Sequence, residues 1–405
     1  MSAPGGPFAA IEAGEAARAA AAVARLLPAS LVPVFDASFV YSDMLFDEFV
    51  YRQALQVAAE TKLAPALADW RSAEDVVERA GLDARRAVVP VRWLLAHLAS
   101  RGALLREDDG GVRFRTGHVF RWLDPAVVLE AQRAHDPACL PAYALAEAAA
   151  RDYPAFLRGE KSGDQILLAP PRLPLWIRYF SNDNPLYAVN NRVGAAALEA
   201  WLPAGAISIL ELGGGLASGA IAALERLDAA GRLGDVAAYR FTELVPAFLS
   251  RAERLLRERF ERAPWLTCSA LDMNRSFAEQ GVAPGAASVV YAVNTLHVAH
   301  DLDFTLGEVR RALAPGGRLV AAECVRPFEG QTLYPEFVFN LMESFRAPRL
   351  HPDRRPNGGF LTPEQWTRAL AASGFADVRL LPDVGAIRDL VPAFFAAAIG
   401  ARRAD

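Results

Sequence analysis

The second half of the sequence alternates between short apolar runs and segments with helical periodicity. This alternation is typical of βα units and predicts a parallel sheet with helices on both faces. Five runs fit strands of such a sheet: ISILEL (207–212), YRFTEL (239–244), WLTCSALD (265–272), SVVYAVN (288–294) and GRLVAAECV (317–325). Two later runs, DVRLL (377–381) and FFAAAIG (394–400), predict a C-terminal antiparallel hairpin. The predicted fold class is α/β, with a Rossmann-like, doubly wound sheet of seven strands.

The first half differs, because helical patterns dominate it. Residues 1–40 are rich in Ala, Pro and Gly and predict a loosely ordered arm or an early helix. In residues 41–122, a helical pattern from Met44 precedes a capping-box-like start at Ser72 and Asp75, and two short strands flank the Asp-Gly turn of ALLREDDGGVRFR. This order predicts a winged-helix-like domain. We expect a helical connector and lid in 123–200, and a ligand-binding catalytic domain in 201–405.

Charge argues against nucleic acid as a partner. The 405 residues carry a formal net charge of −4. Residues 69–115 hold nine Arg against eight Asp and Glu, and the helix RRAVVPVRWLLAHLA is mostly apolar beyond its first turn. A helix that reads a DNA groove should carry polar side chains and a basic rim. We therefore expect the winged-helix-like region to mediate dimerisation, giving a homodimer, or to pack as a substrate lid.

The remaining composition bears on compartment and metal. The three cysteines, Cys139, Cys268 and Cys324, are far apart and lack CxxC spacing, which indicates a reducing compartment and no zinc site. No His, Asp or Glu cluster has metal-ligand spacing, so we expect a metal-independent reaction. The N-terminal stretch has acidic residues ahead of any apolar core, and no apolar run reaches the roughly 18 residues of a membrane span. We expect a cytoplasmic protein without a membrane partner.

Four glycines crowd into ILELGGGLASG, directly after the first predicted strand. Ligands of a doubly wound sheet bind at the carboxyl ends of its strands, so this loop should approach one. The pattern G-x-G-x-x-x-G is compatible with a dinucleotide, whose pyrophosphate would lie on the next helix N-terminus. Three acids instead favour S-adenosylmethionine: Glu211 suits a cationic amino and sulfonium ligand, Glu243 a ribose diol, and Asp272 an adenine amine. The candidate cofactor site comprises Glu211, Gly213, Gly214, Gly215, Glu243, Leu244, Asp272, Met273 and Asn294.

A histidine and a glutamate form the candidate catalytic pair. His297 follows the fourth predicted strand, where it would face the methyl donor, and Glu323 interrupts the apolar fifth strand. A carboxylate inside a core strand is costly unless it is paired, and His297 supplies a partner on the neighbouring strand. A carboxylate bonded to histidine fixes its tautomer and raises its basicity, as proton abstraction requires. The alternative is a purely structural pair.

These motifs together resemble the class I S-adenosylmethionine-dependent methyltransferases. The similarity covers roughly 180–385 and comprises ELGGG, the two later acids, VVYAVNTLH and LAPGGRLVAAE. It implies that Gly213 and Gly215 approach the cofactor, that Glu243 holds the ribose and that Asp272 binds the adenine. Ala217 departs from the family, which has its third glycine there. Gly213 and Glu243 are also 30 positions apart (243 − 213), more than the roughly 20 of a dinucleotide fold.

Two branches of that family share the His-Glu pair. The N-terminal region and the segment AEC resemble small-molecule O-methyltransferases, although LHVAHDL replaces the usual LHDW and no acidic residue follows NGG. Segments between about 156 and 346, including NDNPLYAVNNRVG and FVFNLMESFR, resemble the C-methyltransferase domains of polyketide synthases. That likeness implies a polyketide-like acceptor, free or carrier-bound, that is methylated at an activated carbon, with O-methylation of a phenol or enol as the alternative. Aromatic and polar residues expected to shape its pocket are Tyr179, Asn184, Tyr187, Tyr334, Phe337 and Phe345.

Two other functional classes remain open from the sequence. A nicotinamide-dependent oxidoreductase would need a glycine loop without Glu211 and a catalytic Tyr-x-x-x-Lys, but no Lys follows Lys161. A winged-helix regulator that senses S-adenosylmethionine would need a basic DNA face and would not need His297.

Overall fold

The computed structural model describes residues 13–117, 121–261 and 263–404. The first 200 residues are mainly helical where described. Their helices are α1 (Ala13–Ala24), α2 (Ala37–Glu60), α3 (Leu63–Ala66), α4 (Ala73–Arg79), α5 (Ala84–Ser100), α6 (Pro125–His135), α7 (Leu140–Leu157), α8 (Gly163–Leu167), α9 (Leu173–Tyr179) and α10 (Pro185–Trp201). Strands β1 (Leu104–Glu107) and β2 (Arg113–Thr116) form an antiparallel pair between α5 and α6. The predicted early helix therefore exists as α1, and the predicted strand pair is confirmed.

Local sequence signals explain where these helices begin. Ser72 accepts a hydrogen bond from the backbone N–H of Asp75, and the Asp75 side chain accepts one from the N–H of Ser72, which confirms the predicted capping box. Asp83 caps α5 and Asp124 caps α6 in a similar way. Each cap satisfies a donor that the first helical turn leaves unpaired. The winged-helix and dimerisation assignments of this region stay predictions.

A seven-stranded sheet forms the second half of the chain. Its strands are β3 (Ile207–Leu212), β4 (Val236–Thr242), β5 (Leu266–Ser269), β6 (Ala287–Val293), β7 (Leu313–Cys324), β8 (Phe375–Leu381) and β9 (Ala396–Arg403). They lie in the order β5-β4-β3-β6-β7-β9-β8. The first five are parallel, whereas β9 runs antiparallel to both β7 and β8. The predicted α/β sheet and its C-terminal antiparallel hairpin are both confirmed.

The helices of this half lie between its strands along the chain, and two of them, α14 and α15, pack against the helical half. They are α11 (Ser218–Ala229), α12 (Pro246–Arg259), α13 (Leu302–Ala312), α14 (Glu336–Phe339), α15 (Glu343–Arg346), α16 (Pro363–Ala372) and α17 (Val384–Ile387). No helix among the described residues is both long enough and apolar enough to cross a membrane.

Six of the seven strands differ from their predicted limits by one to four residues, and the differences at β7 and β5 change the position of a turn and of a candidate site residue. β7 begins at Leu313, four residues before the predicted start, because Leu313 already pairs with Ala287 while Arg318 pairs with Val289. The Pro-Gly-Gly segment therefore bulges out inside the strand, with Gly316 at a φ of 70°. β5 ends at Ser269, so Asp272 lies in the loop that follows it rather than on the strand.

Two hydrophobic cores meet between the halves of the chain. One surrounds the sheet and includes Val23, Leu31 and Phe35 from the N-terminal arm. The other fills the helical half and includes Phe337 and Phe395 from the second half of the chain.

A buried carboxylate links the helical half to the second half of the chain. Glu336 accepts hydrogen bonds from Arg326 (2.6 Å), from the indole N–H of Trp93 in α5 (3.0 Å) and from the backbone N–H of Leu333 (2.8 Å). Removing one partner of such a buried group leaves the other unpaired, which is strongly destabilising. The interface between the halves is therefore part of the folded unit.

Ala217 provides a test of backbone strain. It precedes α11 with a φ of 67°, in the left-handed region that costs non-glycine residues roughly 1–2 kcal/mol. We expect Ala217→Gly to increase the free energy of unfolding by about 0.5–1 kcal/mol, because relief of the strain exceeds the extra chain entropy of glycine. Urea denaturation measures it, and Ala222→Gly inside α11 is the control that should destabilise. Equal destabilisation by both variants would contradict the strain argument.

Candidate active site

The glycine loop after β3 leaves open space beside one of its three consecutive glycines. A Cβ on Gly213 would lie 2.5 Å from Thr295, and one on Gly214 would lie 2.1 Å from the ring of Phe241, so both positions require glycine. Gly213 and Gly215 have φ values of 58° and 57°, which glycine adopts without strain. Apart from Gly215 and its two chain neighbours, no described residue has an atom within 4 Å of the place where a Cβ of Gly215 would stand. The loop is therefore packed against the sheet at its start and open to a ligand at Gly215.

Glu243 lies beside this opening. One carboxylate oxygen accepts the backbone N–H of Gly215 at 2.9 Å, and the other accepts that of Val245 at 2.7 Å. The side chain of the next residue, Leu244, is 56% exposed, which is unusual for leucine and leaves an apolar surface next to the acid. The structure thus places Gly215, Glu243 and Leu244 together, as a cofactor site requires.

Asp272 and Met273 lie in the loop after β5, the next strand of the sheet beyond β4. Asp272 accepts the backbone N–H of Asn274 at 2.9 Å, and its own N–H is held by the side chain of Gln280 at 2.8 Å. The carboxylate is half-buried at the same edge of the sheet as Glu243. Met273 packs against the core of the sheet. The loop is thus anchored on both sides of Asp272.

Glu211 is buried within the sheet just ahead of the glycine loop, with 1% of its surface exposed. Its carboxylate accepts the phenol of Tyr239 at 2.9 Å. Burial raises the pKa of Glu211 to about 8, the Tyr239 hydrogen bond opposes this rise, and the charge of Glu243 adds to it. A cation bound beside the glycine loop would favour the ionised form.

His297 and Glu323 form the predicted pair. His297 lies in a short 3-10 turn (Leu296–Val298) after β6, and its Nδ1 is 2.6 Å from a carboxylate oxygen of Glu323 in β7. The other oxygen of Glu323 accepts the backbone N–H groups of Thr295 at 3.1 Å and Leu296 at 2.8 Å. Glu323 is fully buried and His297 is 5% exposed. With Nδ1–H donating to the carboxylate, Nε2 is left as the free acceptor.

Arg355 supports this turn from behind, which the sequence did not indicate. Its guanidinium donates to the carbonyls of Ala299 (2.8 Å) and His297, and the side chain is buried. Burial lowers the pKa of Arg355 to about 10, opposed by the charge of Glu323. The only signal in the sequence was an arginine next to proline in a loop, which does not specify a partner.

A largely aromatic cavity of about 220 Å³ lies in front of His297. Four of the residues predicted to shape the acceptor pocket line it: Tyr179, Tyr187, Tyr334 and Phe345. Further lining residues that the sequence analysis did not select include Phe46, Trp176, Phe180, Phe248, Phe339, Met342, Phe360 and Phe395.

Two predicted pocket residues lie elsewhere. Phe337 is fully buried behind the wall and stacks on Tyr153, with ring centroids 4.9 Å apart. Asn184 precedes α10, donates to the carbonyl of Tyr179 at 2.9 Å and lines a separate outer groove. An aromatic or amide in a helical pattern shows that a position is half-buried, but not which side of a wall it faces.

One wall of the cavity is polar. Asn294, which the sequence analysis assigned to the cofactor site, directly follows β6 with a φ of 50° and lines this cavity, where it accepts a hydrogen bond from Asn190 of α10 at 2.8 Å. Asn190 also contacts the thiol of Cys324 at 3.3 Å, and its own side-chain oxygen is buried without a partner among the described residues. The sequence analysis missed Asn190, whose signal is an amide on the buried face of α10. Among the described residues, no cluster of three or more His, Cys, Asp or Glu could hold a metal ion.

The pKa of Glu211 predicts how its replacement changes stability with pH. Between its ordinary pKa of 4.5 and the folded value of about 8, the native state holds one proton more than the unfolded state. The free energy of unfolding of the wild type, relative to Glu211→Gln, should therefore fall as pH rises from about 4.5 to 8. Each unit of pKa difference corresponds to about 1.4 kcal/mol. Urea denaturation at a series of pH values measures it, with the exposed Glu279→Gln as control, and a pH-independent difference would contradict the raised pKa.

Comparisons with known proteins identify a methyltransferase region in the chain. Residues 210–319 match the family model of a methyltransferase domain. Highly reducing polyketide synthase 2 of Gibberella zeae is 29% identical over 254 residues, 61% of this chain and 9% of the synthase. Methyltransferase calH of Penicillium decumbens is 32% identical over 200 residues, 49% of each protein. The chain thus spans a tenth or less of the synthases it matches and about half of calH.

Solved structures share the fold over nearly the whole chain. The CurJ carbon methyltransferase superposes with a TM-score of 0.75 at 22% identity, covering 98% of this chain and all of that one. The C-methyltransferase domain of the citrinin polyketide synthase gives a TM-score of 0.70 at 17% identity, covering 99% and 100%. At these identities the likeness concerns the fold. The chain therefore contains a methyltransferase domain and has the fold of the class I S-adenosylmethionine-dependent methyltransferases.

Proposed function

We propose that this protein is an S-adenosylmethionine-dependent C-methyltransferase that acts on the activated carbon of a polyketide-like acceptor, a β-ketoacyl thioester. The observation that carries the proposal is the buried His297–Glu323 pair, 2.6 Å apart, at the wall of an aromatic cavity. A carbon flanked by two carbonyls is acidic enough for a histidine base, and the product carbanion is delocalised into the carbonyls.

The residues around the glycine loop fit S-adenosylmethionine. The open backbone at Gly215 gives room for close approach, and Glu243 offers acceptors to a ribose diol beside it. Glu211 offers a buried carboxylate whose ionised form the cationic end of the cofactor would favour, and Asp272 is the proposed acceptor for an adenine amine. Bound there, S-adenosylmethionine would supply an electrophilic methyl group.

His297 would act as the general base. Its Nδ1–H is held by Glu323, so Nε2 is the atom that takes the acceptor proton. Two backbone N–H groups fix the carboxylate, and the guanidinium of Arg355 fixes the backbone of the turn. The ionised Glu323 stabilises the imidazolium that forms in the low-dielectric interior. The chain therefore supplies position and charge for proton removal.

The acceptor class follows from the cavity and the relatives. The wall is mainly aromatic, which suits an acyl chain, and Asn190 and Asn294 offer polar contacts to its oxygen-bearing end. Several relatives are polyketide synthases, and two structures of the same fold are carbon methyltransferases. The same base would also deprotonate a phenol, so O-methylation is the alternative that acceptor assays distinguish.

We expect the acceptor to be free or carrier-bound and the protein to be a homodimer.

Calorimetry tests the cofactor. We expect S-adenosylhomocysteine to bind with one site per chain and NADPH not to bind. Glu243→Ala should weaken the affinity by roughly ten- to a hundredfold, because a charge-assisted hydrogen bond contributes about 1.5–3 kcal/mol. Glu225→Ala, an acid of α11 paired to Arg259, is the control and should bind like the wild type. Binding of NADPH, or none of S-adenosylhomocysteine, would overturn the cofactor assignment.

Turnover and isotope exchange test the base. With β-ketoacyl thioesters, His297→Ala should lower kcat by about 10²–10⁴-fold while S-adenosylhomocysteine affinity is kept. The same variant should lose exchange of the acceptor α-proton with deuterated water, which reports proton removal without methyl transfer. Glu323→Gln should weaken both activities, because a neutral amide stabilises imidazolium poorly. His300→Ala, exposed and three residues further along, is the control. Full activity of His297→Ala, or methylation of phenols alone, would refute C-methylation through this base.

A further inference from the structure

Cofactor loop, base and cavity wall follow one another along one edge of the sheet. The glycine loop follows β3, His297 follows the adjacent β6, and Cys324 ends β7 next to it. Because β9 is antiparallel to β7, its first residues lie at this same edge, where Cys324 pairs with Ala396. Adjacent strands are about 4.8 Å apart, so this edge runs about 14 Å from the glycine loop to Phe395, just before β9.

This order fixes the direction in which an acceptor must extend. Its reacting carbon has to lie between the glycine loop and His297. The acceptor atoms beyond the reacting carbon, on the side away from the glycine loop, therefore extend along this edge of the sheet, past Cys324 and towards Phe395. All three of these side chains, His297, Cys324 and Phe395, line the cavity.

The cavity ends there at a wall of two rings. Tyr334 and Phe395 pack edge to face with centroids 5.2 Å apart. Tyr334 also packs on Phe46 at 5.0 Å, and its hydroxyl donates to Asp43 at 2.6 Å, so its ring is held in place. Both wall residues are more than nine-tenths buried.

A second apolar chamber of about 260 Å³ lies behind Phe395. It lies between α1, α2, α10 and residues 390–396, and its lining includes Phe35, Phe39, Met44, Val189, Phe394 and Phe395 together with the acids Glu15 and Asp43. Phe395 lines both spaces and, with Tyr334, a further groove beside α5, whereas its neighbour Phe394 lines only the second chamber of these three. One phenyl ring therefore contributes to the boundary between two cavities of similar size.

We propose that Phe395, braced by Tyr334, sets the length of acyl chain that the active site accepts. This inference rests on the proposed function, because it assumes an acyl acceptor. The rings of Tyr334 and Phe395 stop the apolar end of the acceptor at the end of the cavity farthest from His297. Without the ring of Phe395, the end of a longer chain passes into the second chamber.

The test measures kcat/KM for β-ketoacyl pantetheine thioesters of four to twelve carbons. The wild type should favour the short chains. Phe395→Ala should raise the ratio of long-chain to short-chain kcat/KM by at least about tenfold, since each buried methylene is worth about fourfold. Phe394→Ala removes an equally buried ring from the second chamber alone and should keep the wild-type ratio. Phe395→Leu keeps more of the wall and should shift the ratio in the same direction by a smaller factor. It tests the inference if Phe395→Ala does not fold.

Calorimetry with saturated acyl pantetheine analogues, which have no acidic carbon, gives a readout independent of turnover. Long analogues should bind more tightly to Phe395→Ala than to the wild type. An unchanged length profile in both Phe395 variants, or the same shift in Phe394→Ala, would overturn the inference. If the proposed function itself is wrong, the result differs, because the wild type will then methylate no thioester of any length.

Discussion

The organisation of the reaction site depends on one buried carboxylate. Glu323 lies in the middle of the sheet with no exposed surface, and an ionised group there is tolerated only if its oxygens are saturated with donors. The donors are two consecutive backbone N–H groups and the ring of His297, all from the turn after β6. The turn is therefore fixed in shape by the need to neutralise the acid. The hydrogen bonds that position His297, the proposed base, also lower the free-energy cost of burying the Glu323 carboxylate.

Much of the fold was predictable, because its signals are local. The strands, the capping box at Ser72 and the glycine loop are determined by residues close in sequence. The pairing of His297 with Glu323 was predictable for another reason: an acid in an apolar strand has to find a partner, and the parallel order brings few candidates near. Phe337 and Asn184 were assigned to the pocket because they lie in segments that resemble C-methyltransferase domains, but the side of a wall to which a residue belongs depends on long-range packing. Arg355 and Asn190 were missed because their partners are distant in sequence.

The helical half is integral to the site. Phe46 from α2 contributes to the cavity wall, and Trp93 from α5 donates to Glu336, which also pairs with Arg326 from the second half of the chain. The buried apolar residues that line the cavity belong to the core of the helical half, to which Tyr334, Phe345 and Phe395 from the second half also contribute. We expect a substitution at Phe46 to change acceptor binding without altering the sheet, because the sheet carries the glycine loop and His297, the proposed base.

The reversed direction of β9 separates two kinds of variation. On the parallel strands, the carboxyl edge carries the glycine loop, the candidate cofactor acids and His297, so we expect changes there to alter chemistry common to every acceptor. The antiparallel strand brings a segment from late in the chain to the same edge, where Phe395 lines the cavity but belongs to neither the glycine loop nor the His297–Glu323 pair. Such a segment can diverge among descendants of one enzyme and redirect it to new acceptors while the chemical machinery is inherited unchanged.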